Sequence, residues 1–311
     1  EKRLLSDRPI GALLSGGLDS SLISGIICKL YKDKGIKTPL KTFSIGMKGA
    51  TDLGYAQSVA DHIGSEHHTI ECTESDFLEA IPEVIYNIES YDTTTVRASV
   101  GNYLVAKYIK ENTDVVVLFN GDGSDEQSGY KYLNKAPNTQ EFYDECLKLL
   151  HNIHFFDVLR SDRSVSSKWS LEARTPFLDK SFVEYYMSID PNLKMYKENG
   201  LIEKYLLRKA FEKDNIIPNE VLWRPKEAFS DGCSSEDRSW HKIIQEHVDG
   251  IITDEEFYDN KDKYKINPPM LKESYYYRKI FDICYPGKAN VIPYFWTPNW
   301  TDKIDPSARE L

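Results

Sequence analysis

The chain reads as an α/β protein built on a doubly wound, mainly parallel sheet, followed by a largely helical C-terminal half. Three observations predict this. Strand and helix signals alternate from Ile10 to Phe119. Val115-Val116-Val117-Leu118-Phe119 is an apolar run with no alternation, the pattern of a central parallel strand covered on both faces. Two glycine-rich stretches, at Ser15 and at Asn120, each follow such a run directly. In doubly wound sheets that is where ligands bind, beyond the carboxyl ends of the strands.

Ile10 to Leu14 (IGALL) is the first predicted strand, and Ser21 to Tyr31 the first helix, with Leu22, Ile23, Ile26, Ile27 and Leu30 along one side. A second strand is expected at Leu40 to Gly46, a helix at Gly54 to Ile63 and a third strand at His67 to Glu71. Helices follow from about Ser75 to Ile88, with Glu74-Ser75-Asp76 supplying the start, and from Arg97 to Ile109. Strands alternating with helices imply right-handed βαβ units. From Thr139 the pattern is mainly helical, with candidates at Glu141–Asn152, Lys180–Met187, Glu203–Glu212 and Trp240–His247. The segment after Tyr264, rich in tyrosine, reads as packing over the surface. One unit over 1–311 is expected, sheet-rich in 1–138 and helical in 139–311.

Composition narrows the function. Charged residues make up 28% and hydrophobic ones 41%, as in a folded water-soluble chain. Asp plus Glu (49) exceed Lys plus Arg (39), a net charge of −10 that argues against a nucleic-acid partner. The five cysteines are scattered, with no C-x-x-C and no zinc spacing, and read as reduced thiols of a cytoplasmic protein. His67 and His68 are adjacent on a strand and should face opposite ways. No apolar run reaches membrane-spanning length.

Ser15-Gly16-Gly17-Leu18-Asp19-Ser20-Ser21 joins a strand to a helix. Such a turn gathers free backbone N–H groups and a positive helix N-terminus around one point, a ready phosphate site. Gly16 and Gly17 permit close approach, the three serines add hydroxyl donors, and Asp19 adds a carboxylate able to hold a cation beside phosphates. It is not a Walker loop, which requires G-x-x-x-x-G-K-S/T. The second stretch, Asn120-Gly121-Asp122-Gly123-Ser124-Asp125-Glu126, places three acidic groups within five positions, suited to Mg²⁺ and to acid–base work. Alone it would read as a solvated acidic turn.

The first loop resembles the S-G-G-x-D-S pyrophosphate loop of enzymes that cleave ATP to AMP and pyrophosphate. Four further segments resemble signatures of the synthetase domain of glutamine-dependent asparagine synthetases: Phe43-Ser44-Ile45-Gly46, Tyr91 to Ser99 (YDTTTVRAS), Ser170 to Asp179 (SLEARTPFLD) and Trp223 to Gly232 (WRPKEAFSDG). They occur in the family's order from residue 7 to about 285. The resemblance implies an ATP-pyrophosphatase fold of the adenine nucleotide alpha hydrolase kind. It implies adenylation of aspartate to β-aspartyl-AMP with release of pyrophosphate, then displacement of AMP by ammonia. ATP and Mg²⁺ are the implied cofactors, and aspartate and ammonia the substrates. Ser15, Gly16, Gly17, Ser20 and Ser21 would hold pyrophosphate, Asp19 and Asp125 would carry Mg²⁺, and Leu14, Ile45 and Gly121 would contact the nucleoside. Thr94, Thr95 and Arg97 would bind aspartate, and Lys226 would reach the α-phosphate. Without the resemblance, the threonines read as a helix cap and Lys226 as a surface group.

Two departures accompany it. Members of this family usually have Ser-Gly-Glu-Gly where this chain has Asn120-Gly121-Asp122-Gly123, so Asp122 keeps a catalytic carboxylate on an arm one methylene shorter. The family's glutaminase, a separate N-terminal domain with a nucleophilic cysteine, is absent from this chain. A fragment of a longer synthetase is the expectation, the alternatives being free ammonia or a glutaminase acting in trans. A homodimer is the implied assembly. The competing functions are a synthetase that adenylates another carboxylate and a nucleotide-binding module with impaired catalysis.

Overall fold

Five parallel strands, β1 (Ile10–Leu13), β2 (Lys41–Met47), β3 (Glu66–Cys72), β4 (Val117–Phe119) and β5 (Glu172–Arg174), form one sheet in the order β3-β2-β1-β4-β5. In this computed structural model, which describes residues 1–196 and 200–307, the chain starts at the sheet centre with β1 (Ile10–Leu13). It winds outward through α1 (Leu18–Asp33), β2 (Lys41–Met47), α2 (Thr51–Ile63) and β3 (Glu66–Cys72). It then crosses back through α3 (Glu74–Ile88) and α4 (Thr93–Asn112) to β4 (Val117–Phe119) on the other side of β1. The strand order therefore reverses between β1 and β4, and both glycine loops leave the sheet at that crevice.

Alternation along the central strands feeds two cores. Ala12, Leu14, Val117 and Phe119 are buried against α1 and α2. Phe43, Ile45 and Leu118 point the other way, among Phe77, Ile81, Val84, Val96 and Val100 of α3 and α4. Burial on both faces explains the continuous apolar runs of the sequence.

The predicted strands and helices are present, with shifted ends. Helix α1 starts at Leu18 rather than Ser21, because Gly17 is its N-cap residue. Helix α4 starts at Thr93, four residues early, because Asp92 caps it: the Oδ2 atom accepts from the Thr95 N–H at 2.9 Å and from its hydroxyl at 2.8 Å. Thr73 rather than Glu74 caps α3, in a reciprocal capping box with Asp76. The strand at 115–119 shortens to Val117–Phe119, because the N–H groups of Val116 and Val117 both bond to the Pro9 carbonyl.

The fifth strand, β5 (Glu172–Arg174), comes from the half expected to be helical. A helix at Lys272–Cys284 places Tyr275, Tyr277 and Phe281 of the aromatic tail in the main core. His67 and His68 do face opposite ways, His67 to Thr42 and Ser44, His68 to Tyr108. All five cysteines are free thiols. Among the described residues no helix is long and apolar enough to cross a membrane.

Candidate active site

Two glycines bring the loops together. Gly16 has φ +78°, and a Cβ there would stand 2.6 Å from the backbone nitrogen of Ala56, so only glycine lets the loop after β1 lie on α2. At Gly121 a Cβ would stand 2.6 Å from the Ser20 nitrogen and 2.8 Å from Asp19, so the loop after β4 rests directly on the start of α1. Within the first loop the Ser20 hydroxyl accepts from the Ser15 N–H at 3.2 Å and lies 3.0 Å from the Ser15 hydroxyl. The loop is thus closed on itself before any ligand binds.

A cleft opens over this junction. Leu14, Ser15, Gly17, Asp19 and Ser20 line it from the first loop, and Gly121, Asp122 and Asp125 from the second. Ile45, Thr94, Arg97 and Lys226 complete the predicted lining. Gly16 and Ser21 lie behind the wall: Gly16 against α2, Ser21 fully buried. Thr95 is also outside, its hydroxyl given to Asp92.

Asp125 lies between two ammonium groups, Lys226 Nζ at 2.6 Å from one oxygen and Lys204 Nζ at 2.6 Å from the other. Lys204 also reaches Asp19 at 2.5 Å. Burial alone would raise the Asp125 carboxyl, but the two lysines outweigh it and hold it far below its ordinary value. Asp122 has no such partner at close range. Burial pushes its carboxyl up to about 6, opposed mainly by Arg160, whose guanidinium is 3.9 Å away. Arg160 is itself engaged with Asp157 at 2.5 Å and Glu126 at 3.3 Å.

Arg97 reaches the cleft with its fork filled. Glu273 takes one edge, at 2.8 and 2.5 Å, and Asp305 the other, at 2.8 and 2.9 Å. The neighbouring Thr94 hydroxyl is buried without a hydrogen-bond partner. Pro306 and Ser307 also line the cleft, so residues near the end of the described chain contribute to its wall.

Four site residues were not foreseen: Arg160, Glu203, Lys204 and Arg224. Arg224 binds the Gly16 carbonyl at 3.1 Å, pairs with Asp52 at 2.8 Å and lies over the Tyr55 ring, clamping the first loop onto α2. Glu203 accepts from the Lys226 N–H at 2.6 Å and pairs with Arg208 at 2.6 Å, fixing where Lys226 starts. Arg224 sits inside the WRPKEAFSDG segment, so a signal existed; the other three carry none.

The donor set suits a divalent cation held jointly with phosphates. The Asp19 Oδ1 atom is buried without a hydrogen-bond partner. Mg²⁺ typically takes one or two protein carboxylates and completes its shell with phosphates and water. Among the described residues no three His, Cys, Asp or Glu converge into a metal cage of their own.

The asparagine synthase family profile matches residues 1–145 and 134–304. The whole chain is 51% identical to the asparagine synthetase (glutamine-hydrolyzing) of Gallus gallus, and 50% identical to those of Bos taurus and Homo sapiens. In each comparison all of this chain is covered, and it spans 55% of the relative's length.

Proposed function

The chain belongs to the asparagine synthase family, and from that premise we propose that it forms asparagine from aspartate, ATP and ammonia. The observation that carries this reading is the convergence, at one strand-order reversal, of a phosphate loop, an acidic loop and Lys226.

In the proposed reaction a side-chain carboxylate oxygen of aspartate attacks the α-phosphorus of ATP. The bond to the β-phosphate bridging oxygen breaks, giving β-aspartyl-AMP and pyrophosphate. Backbone N–H groups at the start of α1 and the hydroxyls of Ser15 and Ser20 receive the departing pyrophosphate, while Leu14, Ile45 and Gly121 hold the nucleoside. Lys226 leaves Asp125 to meet the charge that builds on the α-phosphate. Asp19 and Asp125 would hold Mg²⁺, which would supply compensation for charge on the leaving group. We assign the unpartnered Thr94 hydroxyl to a substrate carboxylate. Arg97 takes it in exchange for Asp305, the more exposed of its two partners (15% against 1%). Ammonia then attacks the acyl carbon, the bond to AMP breaks, and Asp122 accepts a proton from nitrogen.

The matched relatives are named for glutamine hydrolysis. We extend this to the present chain as ammonia supplied from glutamine by a glutaminase domain in cis or in trans, in a cytoplasmic homodimer. The test is pyrophosphate release from ATP with ammonium as nitrogen donor. Release that depends on aspartate and is matched by asparagine supports the reading. Release without aspartate points to another carboxylate, and ATP binding without release points to a non-catalytic module.

A further inference from the structure

Lys204 takes no part in the steps above, yet its placement is built with care. Its side chain is 2% exposed, with Nζ 2.5 Å from Asp19 and 2.6 Å from Asp125, one carboxylate from each glycine loop. Its backbone is left-handed, φ 56°, a conformation uncommon for a lysine, at the entry to the helix Tyr205–Phe211. The stem runs through a slot that exists only because residue 129 is glycine: a Cβ there would stand 2.0 Å from the Lys204 Cε.

Two partly buried carboxylates, each 13% exposed, facing one point repel unless a cation lies between them. Lys204 supplies that cation. A divalent ion using the same two carboxylates cannot share the place with an ammonium group, so its arrival requires Lys204 to withdraw from at least one of them. A flexible four-carbon stem ending in a point charge allows this, and incoming phosphate oxygens offer a new partner. We propose that Lys204 is a positioning residue that holds the two loops at the spacing a nucleotide-borne divalent cation needs, and surrenders Asp19 and Asp125 to it. This rests on the reading of those two aspartates as the cation's ligands. One consequence is that the site refuses bare metal and accepts it only with ATP.

Mn²⁺ binding in the absence of nucleotide, followed by electron paramagnetic resonance, tests this without turnover. Wild type should bind Mn²⁺ weakly. Lys204→Met should bind it about tenfold tighter or more, since a competing unit charge is gone. Lys204→Met with Asp125→Asn should lose that gain. Equal Mn²⁺ affinity in wild type and Lys204→Met would overturn the proposal. Should Lys204→Met not fold, wild type decides: Mg²⁺ alone should leave its thermal midpoint unchanged while Mg²⁺ with ATP raises it. An equal rise with Mg²⁺ alone would overturn the proposal. The Mn²⁺ result stands apart from asparagine formation, so tight binding by Lys204→Met in a chain that makes no asparagine would discard the reaction and keep the role of Lys204.

Discussion

Gly121→Ala isolates the contact on which the site depends. The added methyl carbon would stand 2.6 Å from the Ser20 nitrogen and 2.8 Å from the Asp19 carbonyl carbon, both backbone atoms. Ordinary contact begins at 3.4 Å, so the loops must part by about 0.8 Å at this point. Ser20 and Asp19 belong to the first glycine loop, and the neighbour of Gly121 is Asp122. The displacement therefore falls on the distance between the proposed phosphate site and the acidic loop. A misplacement on the order of 1 Å costs about 100-fold in rate, and overpacking a tight contact costs about 1–3 kcal/mol in stability. The assay is aspartate-dependent pyrophosphate release, with urea unfolding measured in parallel. Gly17→Ala is the stability control: its Cβ would meet only the Ser15 hydroxyl, at 3.4 Å, and φ is an unstrained −78°. It should cost only what an alanine N-cap costs, at most about 1 kcal/mol. If Gly121→Ala keeps kcat/KM for ATP within about threefold of wild type and unfolds at the same urea concentration, the two loops do not form a fixed unit.

Other outcomes follow from the same geometry. Asp122, raised to about 6, must lose its proton to act as a base, so amidation should climb as pH rises through about 6, and Asp122→Asn should remove that limb. The sign for stability is opposite. A raised carboxyl favours the folded state below the ordinary value, near 3.8, and that contribution is lost as pH rises through 6, so Asp122→Asn should unfold at higher urea at pH 8 but not at pH 4. Arg97→Met leaves Glu273 and Asp305 facing an uncharged side chain and should cost about 3–5 kcal/mol in urea unfolding; adding Glu273→Met should restore most of it.

The sequence disclosed most of the sheet because its centre is buried on both faces, which forces unbroken apolar runs such as IGALL and VVVLF. It hid β5, a three-residue edge strand with two charged members, Glu172 and Arg174, that has no periodicity to show. Helix starts shifted wherever a cap lay upstream of the first apolar residue, as Asp92 does for α4. The glycine loops were legible because close backbone approach, Gly16 to Ala56 and Gly121 to Ser20, restricts residue type locally. Lys204 and Arg160 were not: Lys204 meets Asp19 across 185 positions, and nothing near either residue marks it as buried. For Thr94, Thr95 and Arg97 the sequence left two readings: contact with aspartate, or a helix start with Thr as N-cap and a solvated Arg97; Asp92 is the N-cap instead, and Arg97 is buried. The structure puts the Thr95 hydroxyl on the cap and fills the Arg97 fork with carboxylates of the chain itself.

Oxygen transfer reads the adenylation step itself. Aspartate labelled with ¹⁸O in both side-chain oxygens is incubated with ATP, Mg²⁺ and ammonium, and the products are analysed by mass spectrometry. Attack on the α-phosphorus predicts one labelled oxygen in AMP and the other in the asparagine amide. Label in inorganic phosphate with ADP formed, or asparagine formed with unlabelled AMP, would contradict a β-aspartyl-AMP route.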